Sequence, residues 1–303
     1  MRLVTFTSGG EARLGAIVGT RVLDLARLAD RSGQGSLPSS MLGLIEAGRV
    51  AWMRADRLAA EVAQDAPPEV AHNLAEIRLL APIPRPSKNV FCLGLNYRAH
   101  LAETSEGAAE DPKSPIFFTK AVTSIVGPQD PILFDETVTT KYDWEAELGV
   151  VIGVPGRRIS EAQSMEHVFG YTCFNDVSAR DLQRYHQQWF LGKSLDGTCP
   201  FGPAIVTADE ISDPHALAIE CRVNGVVKQR ANTGDMIFRI PAIIASLSQG
   251  LTLEAGDLIS TGTPSGVGYT RTPPEYLRPG DVVEVEVEGV GLLSNRVADI
   301  RER

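Results

Sequence analysis

Beyond residue 89 the chain breaks into short apolar runs separated by turn residues. Val90 to Leu93, Ile116 to Phe118, Leu148 to Ile152, Gly170 to Phe174, Ala204 to Val206, Ala218 to Val223, Asp257 to Ser260 and Val282 to Val287 predict strands. Helical spacing is confined to about Glu161 to Val168, Ala179 to Gln187 and Ile240 to Ser248. Many strands with few helices between them predict a mixed, largely antiparallel β architecture of the α+β class. Residues 1–80 read as a small α/β domain. Its strands are Leu3 to Phe6, Leu14 to Val18 and Arg21 to Leu25, with turns at Gly9-Gly10 and Gly19-Thr20. Helical spacing follows over Ser40 to Glu46 and Val50 to Gln64, where Trp52, Leu58, Ala59 and Val62 share a side. Pro82, Pro84 and Pro86 predict a stiff extended linker, so the second domain is taken as 81–303.

Composition adds exclusions. The 303 residues are 43% hydrophobic and 22% charged, ordinary for a globular protein. Acids outnumber bases 38 to 29, which argues against nucleic acid and anionic membrane as partners, since both require a basic footprint. No apolar run reaches the roughly 18 residues of a membrane helix. Met1 to Phe6 reads as a strand and not as a signal peptide, so a cytoplasmic protein is expected. Cys92, Cys173, Cys199 and Cys221 are scattered and read as buried reduced thiols.

The candidate chemistry centres on Glu145 and Glu147, in Tyr142-Asp-Trp-Glu-Ala-Glu-Leu-Gly149. In a strand, residues i and i+2 share a face about 6.6 Å apart, so two carboxylates there can close on one divalent cation. Asp176, at the end of the next strand-like stretch, offers a third. Three carboxylates without Cys or His suit Mg²⁺ or Mn²⁺ and not Zn²⁺. The spacing alone does not decide. Glu284, Glu286 and Glu288 repeat it among Val282, Val283, Val285 and Val287, as in a strand with valines inward and acids in water.

His100 and Glu103 lie one helical turn apart. They fit either a carboxylate-oriented general base or an ordinary surface pair. Thr104 to Lys113 is small and polar, as a lid or an idle loop would be. Lys193, among apolar residues, can hold a carboxylate or an oxyanion. Gly192-Lys193-Ser194 is no nucleotide loop, because Gln187 stands where that motif needs glycine. Thr261 to Gly268 is glycine-rich, either an anion-binding turn through its amides and Thr263 or a plain turn. It matches neither a Rossmann fingerprint nor a nucleophile elbow. His72 and His167 in polar helical context, His186 and His215 read as structural or exposed.

Together these stretches resemble the fumarylacetoacetate hydrolase superfamily. The matching pieces are Gly94-x-Asn-Tyr-x-x-His100-x-x-Glu103, Phe118-x-Lys120, Tyr142-x-x-Glu145-x-Glu147, Asn175-Asp176 with Ala179-Arg-Asp181-x-Gln183, Gly192-Lys193-Ser194, Asp235 to Phe238 and Thr261-Gly-Thr-Pro264, from about residue 85 onward. The resemblance implies a mixed β-roll catalytic domain, a homodimer, and an N-terminal domain like that of bacterial members. It also implies Mg²⁺ or Mn²⁺ held by Glu145, Glu147 and Asp176, and water activation by His100 and Glu103. Lys193, Gln183, Thr263, Lys120 and Arg98 match substrate-contacting positions. The expected substrate is a small 2-oxo acid. The favoured reaction is C–C hydrolysis of a 2,4-dioxo acid through a metal-stabilised enolate, as part of aromatic catabolism. The alternatives are oxaloacetate decarboxylation or tautomerisation, 5-carboxymethyl-2-hydroxymuconate-type isomerisation, or non-catalytic metabolite binding.

Overall fold

The computed structural model describes residues 1–7, 10–33, 35–63, 65–104 and 110–302. Gly9, Gln64 and most of the expected lid, residues 105–109, lie outside them. The fold is mixed α/β, built on two large sheets. Among the described residues, twelve strands form the larger sheet. Its path runs from Ala71–Asn73 through Arg21–Asp24, Arg13–Val18, Arg2–Thr7, Cys199–Thr207, Val168–Asn175, Ala146–Ile152, Leu258–Ser260 and Val90–Gly94 to Ile116–Lys120. Arg78–Leu80 and Ile125–Val126 join it off this path. The second sheet orders Val226–Asn232, Ala218–Val223, Val282–Val287, Gly291–Asp299 and Ile132–Phe134. Most pairings are antiparallel, as the short connections predict.

The N-terminal strands extend the same sheet as the rest of the chain. Arg2 pairs with Val206 and Leu3 with Ile205. The proline-rich stretch after residue 80 is not a solvated linker: Ala81, Pro82 and Ile83 are buried, and Thr5 Oγ1 donates to the Pro82 carbonyl at 2.5 Å. Pro82 and Pro86 are buried while Pro84 is exposed, and the buried pair adds apolar volume without backbone donors.

Ala146–Ile152 is buried at every position and explains how acids enter the interior. Its even-numbered residues, Leu148, Val150 and Ile152, enter the core that also holds Val283, Val285 and Val287 of the smaller sheet. Val151 enters a second core on the opposite side, with Leu25, Leu44 and Leu58 of the N-terminal helices. Glu147 has the parity of Val151, so the core-forming alternation carries it inward too. Gly149, between them, has no room for a side chain: a Cβ there would lie 2.3 Å from the Phe174 ring.

The control strand behaves differently. Val283, Val285 and Val287 are buried, Glu286 is exposed and Glu284 half-buried. Val282 is exposed rather than inward, because it shares the parity of the glutamates. Helices form at Met41–Glu46, Gly48–Glu61, Arg180–Tyr185 and Ile240–Ser248. His72 lies on a strand against the Phe6 ring at 5.2 Å, not on a helix. All four cysteines are free and buried. Among the described residues, no helix is long and apolar enough to cross a membrane.

Candidate active site

Glu145, Glu147 and Asp176 converge. Each offers a carboxylate oxygen, and these oxygens lie within 4.8 Å of one another. Strand pairing produces the convergence. Ala146 pairs with Asn175 and Glu147 with Phe174, so the chain end carrying Asp176 lies beside Glu145. The Asp176 amide donates to the Glu145 carbonyl at 2.9 Å, and the Glu145 amide to Asn175 Oδ1 at 3.1 Å.

Their electrostatic surroundings differ. Lys193 Nζ lies 2.6 Å from Glu145 Oε2 and 2.7 Å from Asp176 Oδ2. Lys120 Nζ lies 2.8 Å from Asp176 Oδ1, and Arg180 Nη2 lies 2.7 Å from Glu145 Oε1. Burial alone would raise the Glu145 carboxyl, but Lys193, Arg180 and His100 outweigh it and hold it below the usual carboxylate range. Burial likewise opposes charge on Lys193, and Asp176 and Glu145 overcome it and raise the ammonium. Glu147 meets only neutral donors, Ser260 Oγ at 2.5 Å and Gly262 N at 2.7 Å. Burial, then the charges of Asp176 and Glu145, push its carboxyl well above the usual range.

The formal charges do not balance. Asp143, Glu145, Glu147 and Asp176 are four buried carboxylates against three buried cations, Lys120, Arg180 and Lys193. The surplus falls on Glu147. An all-oxygen, tightly grouped donor set with one uncompensated carboxylate fits a hard divalent ion.

His100 is buried, and its Nδ1 lies 2.7 Å from Glu103 Oε1. A carboxylate only accepts, so Nδ1 carries the proton and Nε2 is the free nitrogen. The other Glu103 oxygen accepts from Gly266 N at 2.9 Å and Thr270 Oγ1 at 3.2 Å. The pair is therefore locked into the structure on both sides.

The glycine-rich loop binds anions of this chain itself. Gly262 N serves Glu147, Gly266 N serves Glu103, and Gly268 N serves Asp143 Oδ1 at 2.7 Å. Gly262 and Gly266 hold φ values of 97° and 102°, which L side chains rarely adopt. The Thr263 hydroxyl donates to the Ala146 carbonyl at 3.0 Å and accepts from Gln229 Nε2 at 2.8 Å.

His100, Glu145, Glu147, Gln183, Lys193 and Thr263 line one small cleft of about 60 Å³, walled also by Phe118, Trp189, Arg180 and Tyr269. Two of the residues matched to substrate contacts are placed elsewhere. Lys120 is fully buried, bonded to Asp176 and to the Val177 carbonyl at 3.0 Å, and supports a carboxylate from behind. Arg98 is exposed and paired with Asp111 at 2.9 Å, outside the cleft lining.

Arg180, Asp143 and Tyr269 join the site without a motif of their own. Arg180 Nε donates to Asp143 Oδ2 at 2.8 Å, its Nη1 to Gln183 Oε1 at 3.1 Å, and its guanidinium lies 4.4 Å from the centre of the Tyr269 ring. The available signal was an arginine four residues after Asp176, at a helix start.

The Fumarylacetoacetate (FAA) hydrolase C-terminal family matches residues 89–298. Oxaloacetate tautomerase YisK of Bacillus subtilis (strain 168) is 46% identical over 86% of this chain and 87% of its own length. The solved fumarylacetoacetate hydrolase of psychrophilic Exiguobacterium antarcticum is 41% identical, covers 99% of both chains and superposes with a TM-score of 0.83. Maleylpyruvate hydrolase from Sphingobium sp. SYK-6, solved with manganese(II) and pyruvate, is 29% identical over 99% of both chains, with a TM-score of 0.77.

Proposed function

The chain belongs to the fumarylacetoacetate hydrolase family, and from that premise we propose that it is a divalent-cation-dependent tautomerase of small 2-oxo acids of the oxaloacetate type. The observation that carries this is the His100–Glu103 pair, 2.7 Å apart, opening on the same cleft as Glu145 and Glu147. Glu145, Glu147 and Asp176 would hold Mg²⁺ or Mn²⁺, which supplies Lewis-acid polarisation of the substrate's 2-oxo group. His100 Nε2 takes a proton from C3 of the keto form and passes it to the 2-oxo oxygen to complete the enol, and the reverse direction returns it to C3, while Glu103 fixes the imidazole tautomer that makes this possible. Lys193 has committed two of its three N–H donors to Glu145 and Asp176, which leaves one for a substrate oxygen.

This reading takes the place of C–C hydrolysis as the favoured reaction. Tautomerisation needs one positioned acid–base group and no bound water, and its support is the 46% identity to a protein named oxaloacetate tautomerase. Hydrolysis of a 2,4-dioxo acid by the same pair remains the second reading, favoured by the likeness to maleylpyruvate hydrolase. The test is ketonisation of enol-oxaloacetate, followed by ultraviolet absorbance, with Mg²⁺ and with EDTA. Cation-dependent acceleration is expected. No acceleration, together with acid release from acylpyruvates, would favour hydrolysis.

A further inference from the structure

We propose that Arg184 selects dicarboxylate substrates by receiving the distal carboxylate, an inference that rests on the 2-oxo acid reading above and narrows its substrate class. Arg180 and Arg184 are four residues apart, with both on the helix Arg180–Tyr185 or its first turn, so they project from the same side. Both guanidinium groups lie over one ring, that of Tyr269, at 4.4 Å and 4.9 Å from its centre. Tyr269 and Arg180 line the cleft.

The two arginines differ in what they are free to do. Arg180 is buried and engaged within the chain: its Nε and Nη1 donate to Asp143 and Gln183, and its Nη2 pairs in charge with Glu145. Arg184 is exposed, and among the described residues it has no carboxylate partner; its guanidinium lies over the Tyr269 ring. Stacking on an aromatic face restrains a guanidinium without using its in-plane N–H donors. The result is a pre-oriented, unspent fork at the rim of a cleft whose floor is acidic.

Arg180 touches Glu145 at 2.7 Å and shares the Tyr269 ring with Arg184, so a dioate with its 2-oxo acid end at Glu145, Glu147 and Asp176 would direct its second carboxylate towards Arg184. A planar fork recognises a carboxylate through two parallel hydrogen bonds. A 2-oxo acid ending in a methyl group would gain nothing from it.

The experiment compares wild type, Arg184→Gln and Arg184→Lys, all loaded with Mg²⁺. Exchange of C3 protons in D₂O is followed by NMR for oxaloacetate and for the monocarboxylate 2-oxobutanoate. Oxalate affinity is measured by calorimetry as a readout independent of turnover. Arg184→Gln is expected to lower kcat/KM for oxaloacetate about ten- to a hundredfold, the loss of one charge-assisted contact. Exchange of 2-oxobutanoate and oxalate affinity should stay within about twofold, and Arg184→Lys should recover part of the loss. Equal losses on both substrates, or no loss on oxaloacetate, would overturn the role of Arg184. Failure of wild type to accelerate oxaloacetate exchange at all would overturn the underlying functional reading instead.

Discussion

Lys193 Nζ lies 2.6 Å from Glu145 Oε2, and neither side chain is more than 6% exposed. The same ammonium reaches Asp176 at 2.7 Å, so one buried cation bridges two of the three converging acids. Removing one partner of a buried ion pair leaves an uncompensated charge, at a cost of about 3–5 kcal/mol. Lys193→Met should therefore lower the melting temperature. The deficit should be larger in EDTA than in excess Mg²⁺, because a bound cation restores the missing positive charge and stabilises the folded state. Thermal denaturation under both conditions checks this; an equal deficit would separate Lys193 from the cation site.

His100→Gln should reduce tautomerisation about 10²- to 10⁴-fold, the range for loss of a positioned acid–base group, with cation affinity preserved. Glu103→Gln keeps the size of the side chain and its carbonyl acceptor but removes the charge that fixes the imidazole tautomer. It should lower kcat with little change in KM. Steady-state kinetics beside Mn²⁺ binding tests both variants, and unchanged rates in His100→Gln would eliminate the proton-transfer role.

Gly192 abuts the backbone of Gln183, where an added Cβ would lie 2.5 Å from the amide nitrogen and 2.6 Å from Cα. Backbone cannot swing aside as a side-chain tip can. Gly192→Ala should push apart the two short helices that carry Gln183 and Lys193, at about 1–3 kcal/mol of overpacking cost. A raised KM for oxaloacetate is the expected kinetic sign, measured beside denaturant midpoints. Wild-type KM and stability together would contradict this packing.

His215 Nε2 accepts a hydrogen bond from the Ile240 amide at 3.2 Å, at the start of the helix Ile240–Ser248. Burial, and secondarily the charge of Arg239, lowers the imidazole below its ordinary 6.5, against an opposing pull from Asp213. A lowered folded-state value means the unfolded chain binds more protons in the window just below pH 6.5, so stability falls as the pH drops through it. Urea midpoints between pH 5 and 8 should show this slope in wild type and a shallower one in His215→Gln. Identical slopes would remove His215 as the cause.

Much of the site was legible because parity governs it. The alternation that buries Leu148, Val150 and Ile152 fixes Glu145 and Glu147 on one face, and the next strand returns Asp176 beside them. The bonding partners were not legible. Nothing local in the glycine-rich loop says that its amides serve Glu147, Glu103 and Asp143, which lie more than 100 residues earlier. Arg180 and Lys120 find their buried carboxylates only through tertiary contacts, which no local pattern supplies. The strand Val226–Asn232, VVKQRAN in sequence, escaped notice because it lies at the sheet edge with only Gln229 fully buried. The pairing of Arg2 with Val206 is set by distant residues that no local pattern joins.

Titration of Mn²⁺ into metal-stripped protein, followed by the loss of the free-ion electron paramagnetic resonance signal, probes the three-carboxylate cage without any substrate. Wild type should take up one ion per chain, and Glu147→Gln, which removes the one carboxylate without a cationic partner, should bind about a hundredfold more weakly or worse. Equal uptake by the two proteins, or no specific uptake by wild type, would contradict a cation held by Glu145, Glu147 and Asp176.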